Sequence, residues 1–322
     1  MTVKFELLIQ NGNKAFQPIV EDGITLTLER KNTPAKLEFT VVKDSGIAFH
    51  EGAAVSFKVD DMKVFYGYVF AKSRDKKQRI KVTCYDQLRY LKNKDTYIYT
   101  NKTASELVQM IAYDFKLNLG AITNTGHKIA SRVEDNATLF DIIQNAIDIT
   151  FENTGAMYVL YDDFGALSLS SVDDLMVGVL IDEDTAENFE YGSSIDGETY
   201  NRIKLVREDS ETEKREVFVV EDAANINNWG ILQYFEKLSD EDENGYAKAN
   251  SLLKLHNQKT RTLTLQNVLG NVKVRGGSSL MVKLNIGDET VNGVMMVEKV
   301  THTFQNDIHT MNLSMSGKGF TV

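Results

Sequence analysis

The residues able to do chemistry are few and badly spaced for it. Adjacent carboxylates occur at Asp162/Asp163, Asp173/Asp174 and Glu183/Asp184. A glycosidase needs two carboxyls facing each other across a sugar, roughly 5–10 Å apart. Neighbours on a strand point to opposite faces, so these pairs read as turn and solvated-loop residues. The histidines are His50, His127, His256, His302 and His309. His302 and His309 flank a predicted hairpin turn at Gln305–Asp307 and approach each other across it. They lack a third ligand, and no HExxH or HxH spacing exists, so they read as a cross-strand surface pair. His50, beside Glu51, reads as the donor or acceptor of a local hydrogen bond. The single cysteine, Cys84, excludes an intrachain disulfide and a Cys-rich metal centre. It ends an alternating strand and reads as a buried packing thiol. There is no GxxxxGK[ST] loop. Gly276-Gly277 and Gly317-Lys318-Gly319 read as turns or close backbone contacts rather than phosphate cradles. No catalysis, metal or cofactor is expected.

One cluster runs against the net charge of 36 − 46 = −10. Lys72, Arg74, Lys76, Lys77, Arg79 and Lys81 surround a single acid, Asp75, at a predicted hairpin tip. Two readings stay open: a solvated tip, or an electrostatic contact with an acidic neighbour such as another subunit. Nucleic acid ranks third, because the overall charge opposes it and no aromatic residues interleave the cations.

The elements that must position these residues are mostly strands. Within 322 residues, two or three domains are expected. Val3–Ile9, Ile24–Arg30, Lys36–Val42, Ala54–Asp60, Val64–Ala71 and Gln78–Tyr85 are short Val-, Ile-, Phe- and Tyr-rich runs. Ile24, Leu26 and Leu28 share one face of a period-two pattern, as do Leu37, Phe39 and Val41. The period then changes. Thr103-Ala-Ser-Glu106 fits a capping box ahead of Leu107, Ile111 and Phe115. Thr138 fits an N-cap with Asp141 in the first turn and Leu139, Ile142, Ile143, Ala146 and Ile147 as an apolar stripe. Strands at Ala156–Tyr161 and Ala166–Ser170 are joined by an Asp162–Gly165 turn. Beyond Tyr200 strands resume at Arg202–Arg207, Glu216–Val220 and Leu232–Glu236, then Arg261–Gln266, Leu280–Leu284, Val294–Val300 and Met311–Met315. A helix is expected over Asp240–His256, opened by the acidic run 240–243.

Two regions match each other. Gly52-Ala-Ala-Val-Ser-Phe-Lys-Val-Asp60 resembles Gly277-Ser-Ser-Leu-Met-Val-Lys-Leu-Asn285, and each precedes an apolar strand, a polar tip and an alternating strand. The expectation is a mainly β chain with a duplicated β-barrel module: a first barrel at 1–95, an α+β domain at 96–199, and a second barrel at 200–322 with a helix inserted near 240–256. The first residues lack a signal-peptide pattern, and no apolar run approaches the roughly 18 residues that span a bilayer. Synthesis in a cytosol-like compartment, without membrane insertion, is the expectation.

The residues also resemble a known family. Val64–Val69, Thr83–Tyr97, Thr138–Ile143, Tyr158–Gly165, Asn201–Val206, Trp229-Gly230 and Thr260-Arg261 look, in order along nearly the whole chain, like the XkdQ/YqbQ proteins of phage-like tail operons. These are similar to the baseplate hub proteins of contractile tails, including the late control D group. The resemblance implies two tube-type barrels per chain and a homotrimer in the assembled tail. That ring would be pseudo-sixfold toward the hexameric tail tube and threefold toward the trimeric spike. The implied partners are the tube protein, the spike protein, other baseplate proteins and a LysM-type tail assembly protein, without sequence-specific nucleic acid. It supplies no catalytic residue. A cell-wall-binding or peptidoglycan-hydrolysing tail component is the alternative, and a β-sandwich adhesin a third.

Overall fold

The structure, a computed structural model, describes residues 3–43, 48–185, 187–208, 215–238, 244–287 and 290–317. Strands hold 54% and helices 19% of the chain, so it is mainly β. The first region carries β1 (Phe5–Asn11), β2 (Lys14–Phe16), β3 (Val20–Glu29), β4 (Lys36–Val42), β5 (Ala54–Val59), β6 (Met62–Arg74) and β7 (Arg79–Tyr85). Leu7 and Ile9, Ile24 and Leu26, Phe39, Val55 and Phe57, Val69, and Val82 and Cys84 converge from six of these strands on one apolar cluster. The sheet therefore curls around the alternating faces visible in the sequence.

A 3₁₀ turn, Gln87–Lys92, leads into β8 (Lys94–Lys102), α1 (Ala104–Asp114), β9 (Leu119–Ile122), β10 (Ile129–Thr138), α2 (Leu139–Thr154), β11 (Tyr158–Asp162) and β12 (Leu167–Ser171). Thr103 and Glu106 form the expected capping box, and Thr138 accepts from the Asp141 N–H. Gly155 ends α2 in the left-handed conformation, φ 73°. Leu107 and Ile111 of α1 pack with Leu139, Ile143 and Ile147 of α2 over Leu167 and Leu169.

Then come β13 (Met176–Ile181) and β14 (Asn188–Ser194). They fall in the stretch expected to belong to the α+β domain, yet β13 pairs with β19 and β14 with β18 of the main sheet. Next are β15 (Arg202–Glu208), β16 (Arg215–Glu221), α3 (Ala223–Trp229), β17 (Gln233–Leu238) and α4 (Gly245–His256). These strands make a separate sheet, β16-β15-β17, with its own small core of Ile203, Leu205, Leu238, Ala249 and Leu252. The inserted helix is present but is capped by Asn244; the acidic run 240–243 lies outside the described residues. The chain closes with β18 (Thr260–Leu269), β19 (Ser279–Asn285), β20 (Thr290–Gln305) and β21 (Ile308–Gly317).

The duplication is visible in the hydrogen bonding. The first region orders its strands β3-β4-β7-β6-β5-β1 and the last orders them β14-β18-β21-β20-β19-β13. Taken in chain order, the six strands of one match the six of the other. Only the final pair differs in sense, β1–β5 being antiparallel and β13–β19 parallel. Val55, Phe57 and Val59 on β5 are buried, as are Leu280, Val282 and Leu284 at the matching places on β19. Two separate closed barrels are not what forms. β20 runs 16 residues, and its C-terminal half pairs with β3 as well as β21. The modules thereby share one open 13-stranded sheet. Val300 packs in the second core and Phe304 in the first, while Leu28 touches both.

Candidate functional site

The basic cluster does sit on one hairpin. Asp75 folds its turn: Oδ1 accepts from the Lys77 and Arg79 N–H groups, each at 2.9 Å, and Oδ2 from Arg79 Nε at 2.7 Å. The Arg79 N–H and guanidinium hold this carboxyl below the usual carboxylate range. Gln78 takes a positive φ of 63° to close the turn. The six predicted cations then divide. Lys72 donates to the Phe49 carbonyl at 2.8 Å and lies 3.6 Å from Glu51. Lys81 is 3.9 Å from Glu38. Arg79 is committed to Asp75 and is 3.9 Å from Glu21. Among the described residues Arg74 meets the neutral Gln78, at 3.4 Å, and no acid. Lys76 and Lys77 are exposed and make no ion pair among the described residues. Among the described residues the charge without an acidic partner is therefore Arg74, Lys76 and Lys77, at the end of β6 and the tip. The remaining three build the hairpin.

The Gly276-Gly277 turn is a close backbone contact. A Cβ on Gly276 would lie 2.4 Å from the Glu29 carbonyl carbon and 2.5 Å from the Arg30 nitrogen. Gly277 has φ +91° and faces Val159 at a Cβ distance of 2.6 Å. One turn thus seats the last module against both β3 and β11. Arg275 before it donates from Nη2 to the Asp162 carbonyl at 2.8 Å, and its guanidinium stacks 4.0 Å over Tyr161. Arg30 and Glu298 add a bidentate pair, 2.7 Å at its shorter contact, and Lys299 reaches Glu29 at 3.0 Å.

Sequence reasoning missed the acids at this junction. Asp162 is not a solvated loop residue but 7% exposed. Its Oδ1 accepts from the Gly165 N–H, and burial pushes the carboxyl up to about 6. Asp86 is buried too, accepting from the Ala35 and Leu88 N–H groups at 3.1 Å each. Burial first, then the Asp162 charge, raises it well above the usual carboxylate value. The only sequence signal was Gly165 three residues on, marking the turn that Asp162 caps.

The histidine pair is corrected as well. His302 and His309 do meet across the hairpin, Nδ1 to Nε2 at 3.0 Å, but they are 1% and 5% exposed rather than on the surface. His302 Nε2 lies 2.9 Å from the Val274 carbonyl. A carbonyl only accepts, so His302 Nε2 carries the proton and donates. His302 Nδ1 must then accept from His309 Nε2–H. Burial holds both rings neutral, pushing His302 down to about 3 and His309 to about 4. Phe304 stacks on the His309 ring with centroids 4.2 Å apart. Cys84 is buried as expected, and burial pushes its thiol up. His50 bonds the Glu51 carbonyl locally. Among the described residues no three His, Cys, Asp or Glu side chains are grouped to hold a metal, and no helix is long and apolar enough to cross a membrane. Gly319 lies outside the described residues.

The fold these elements build is similar to that of solved tail proteins. It is similar to a tail protein from Neisseria meningitidis, with a TM-score of 0.70 at 12% identity over 97% of this chain and 96% of that one. It is likewise similar to the 43 kDa tail protein of prophage MuSo2 from Shewanella oneidensis, with a TM-score of 0.69 at 14% identity over 96% and 98%. Within that class the chain belongs to the YQBQ-like family, whose model matches residues 24–316. It is 31% identical over 310 residues, 93% of each chain, to the XkdQ protein of the phage-like element PBSX of Bacillus subtilis.

Proposed function

We propose that the chain is a structural component of a phage or phage-like tail, acting at the baseplate hub as a homotrimer. It would join the hexameric tail tube to the trimeric spike. The observation that carries this reading is the twice-used strand order, β3-β4-β7-β6-β5-β1 and β14-β18-β21-β20-β19-β13. Two like modules in each of three chains give six quasi-equivalent positions on one side and three identical chains on the other, so neither neighbour meets a symmetry mismatch. Family membership supports the setting. The repeating unit runs from β1 to β7 and from β13 to β21, with residues 195–259 inserted between its second and third strands. The partners in this reading are the tube protein, the spike protein, other baseplate proteins and a LysM-type assembly protein, and the protein resides in the tail particle. The test is the number of copies per tail. Three supports the adaptor; one or six contradicts it.

A further inference from the structure

The α+β domain and the first module keep separate cores. The apolar cluster around Leu107, Ile111, Leu139 and Ile143 has no residue in common with the one around Ile24, Leu26, Phe39 and Phe57. Two buried carboxyls lie in the seam between them. We propose that Asp86 and Asp162 form a proton-operated clasp between the α+β domain and the first module, closed while the pair retains a proton and released when both are ionised. The clasp does not depend on the hub reading.

Each acid is fixed on one side. Asp86 follows β7 and exchanges bonds with Ala35, just before β4: its Oδ2 accepts from the Ala35 N–H, and its own N–H donates to the Ala35 carbonyl at 3.3 Å. Asp162 ends β11, and its Oδ1 accepts from the Gly165 N–H at 2.6 Å. Phe164 lies in that same turn and packs on Tyr66 of β6, ring centroids 5.6 Å apart. The turn is thus the part of the α+β domain that rests on the first module. Asp162 Oδ2 is buried and has no hydrogen-bond partner among the described residues. Burying an ionised carboxylate with one oxygen bare is unfavourable, so the seam favours the neutral carboxyl.

The groups facing the pair come from several elements. Arg275, on the turn before β19, donates to the Asp162 main-chain carbonyl, and its guanidinium lies over Tyr161. Burial raises both carboxyls, each acid's charge acts against the other's ionisation, and Arg275 partly opposes these effects. Asp163, next in the chain, adds a further negative charge. Tyr68 of β6 faces Asp162 as well, and burial pushes its phenol up. Lys63, also on β6, is 5.2 Å over the Phe164 ring.

The two acids therefore titrate as a pair, one proton at a time. Burial holds Asp162 at about 6 and Asp86 well above the usual carboxylate value. Both lie above their unfolded values, so the protonated pair favours the closed seam at low pH. That advantage is lost as pH rises through the folded values. Full ionisation sets two like charges in a buried seam and drives the Asp162–Gly165 turn off β6.

The test is the spacing between the two units in the purified full chain, read by electron-spin distance measurement from pH 5 to pH 9. Spin labels go on Met62→Cys of β6 and Tyr113→Cys of α1, which are 43% and 84% exposed; native Cys84 is buried. The expected result is one narrow distance at pH 5 and a second, longer population that grows as pH rises. Asp162→Asn keeps an acceptor for the Gly165 N–H and should hold the narrow distance throughout. Asp86→Asn should do the same, and it carries the test if the first variant fails to fold. Arg275→Gln removes the cation that eases ionisation, so the longer population should appear at a higher pH than in the natural chain. A distance that does not change with pH overturns the clasp. So does a longer population that persists in the Asn variants, or an Arg275→Gln onset that stays put or moves down.

Discussion

In the first module β3 runs between β4 and β20, and Ile24 and Leu26 on it are fully buried. In the second, β14 pairs among the described residues with β18 alone, and Phe189 and Tyr191 at the same positions keep part of their surface in water. The strand order is common to both modules; the cover is not. The curled sheet thus has an internal partner on one edge and, among the described residues, none on its equivalent. The core residues are alike in both modules; the cover of this edge is where the two differ.

The largest expected effect tests that difference in the isolated chain. Leu26→Ala empties a site enclosed from both sides and should cost about 2–5 kcal/mol. Tyr191→Ala on the open edge should cost clearly less. Urea unfolding of the two variants checks this, and equal costs would break the comparison. Next is Gly276→Ala. The added methyl meets the backbone of Glu29 and Arg30 rather than a movable side chain, so about 1–3 kcal/mol of overpacking strain is expected. Gly287→Ala serves as the control for a glycine whose Cβ meets nothing within 4 Å, although its φ of +103° carries a strain of its own.

A pH experiment sharpens the junction's role. The folded Asp162 carboxyl sits near 6, above the unfolded value of about 3.9. Its contribution therefore favours the fold below about pH 4 and is lost as pH rises through about 6. Asp162→Asn keeps an acceptor for the Gly165 N–H and removes that dependence. The variant should gain on the natural protein between pH 4.5 and pH 7.5 in urea midpoint, and an unchanged gap would show that the Arg275 contact fully offsets burial. The smallest effect on stability, within about 0.5 kcal/mol, is expected for Lys76→Glu with Lys77→Glu. These side chains are exposed and make no ion pair among the described residues, so tail assembly should fall while thermal unfolding of the monomer stays put. Normal assembly would leave the tip merely solvated.

Local pattern carried much of this. The alternation in β5 and β19, the capping residues Thr103 and Thr138, and the hairpin at Asp75 were all legible because each is decided within a few residues. The strands β13 and β14 were not. Met176-Val-Gly-Val-Leu-Ile reads as a continuous apolar run with a glycine, and what makes it a strand is β19, about a hundred residues later. The burial of His302 depends on the Val274 carbonyl, 28 residues away, and that of Asp162 on a loop 113 residues away. Residue type alone pointed both to the surface. Within the basic cluster, sequence could not separate Lys72, Arg79 and Lys81, which build the hairpin, from Arg74, Lys76 and Lys77, which leave charge unspent. The separation depends on acids at Glu21, Glu38 and Glu51, on other strands or loops.

The central claim, the proposed function, is that each chain supplies two like modules to a threefold ring. A reconstruction of the assembled tail end, at a resolution that separates strands, tests it directly. The account predicts three copies in a ring of six modules, the two modules of each chain side by side. An assembly holding one or six copies would contradict it.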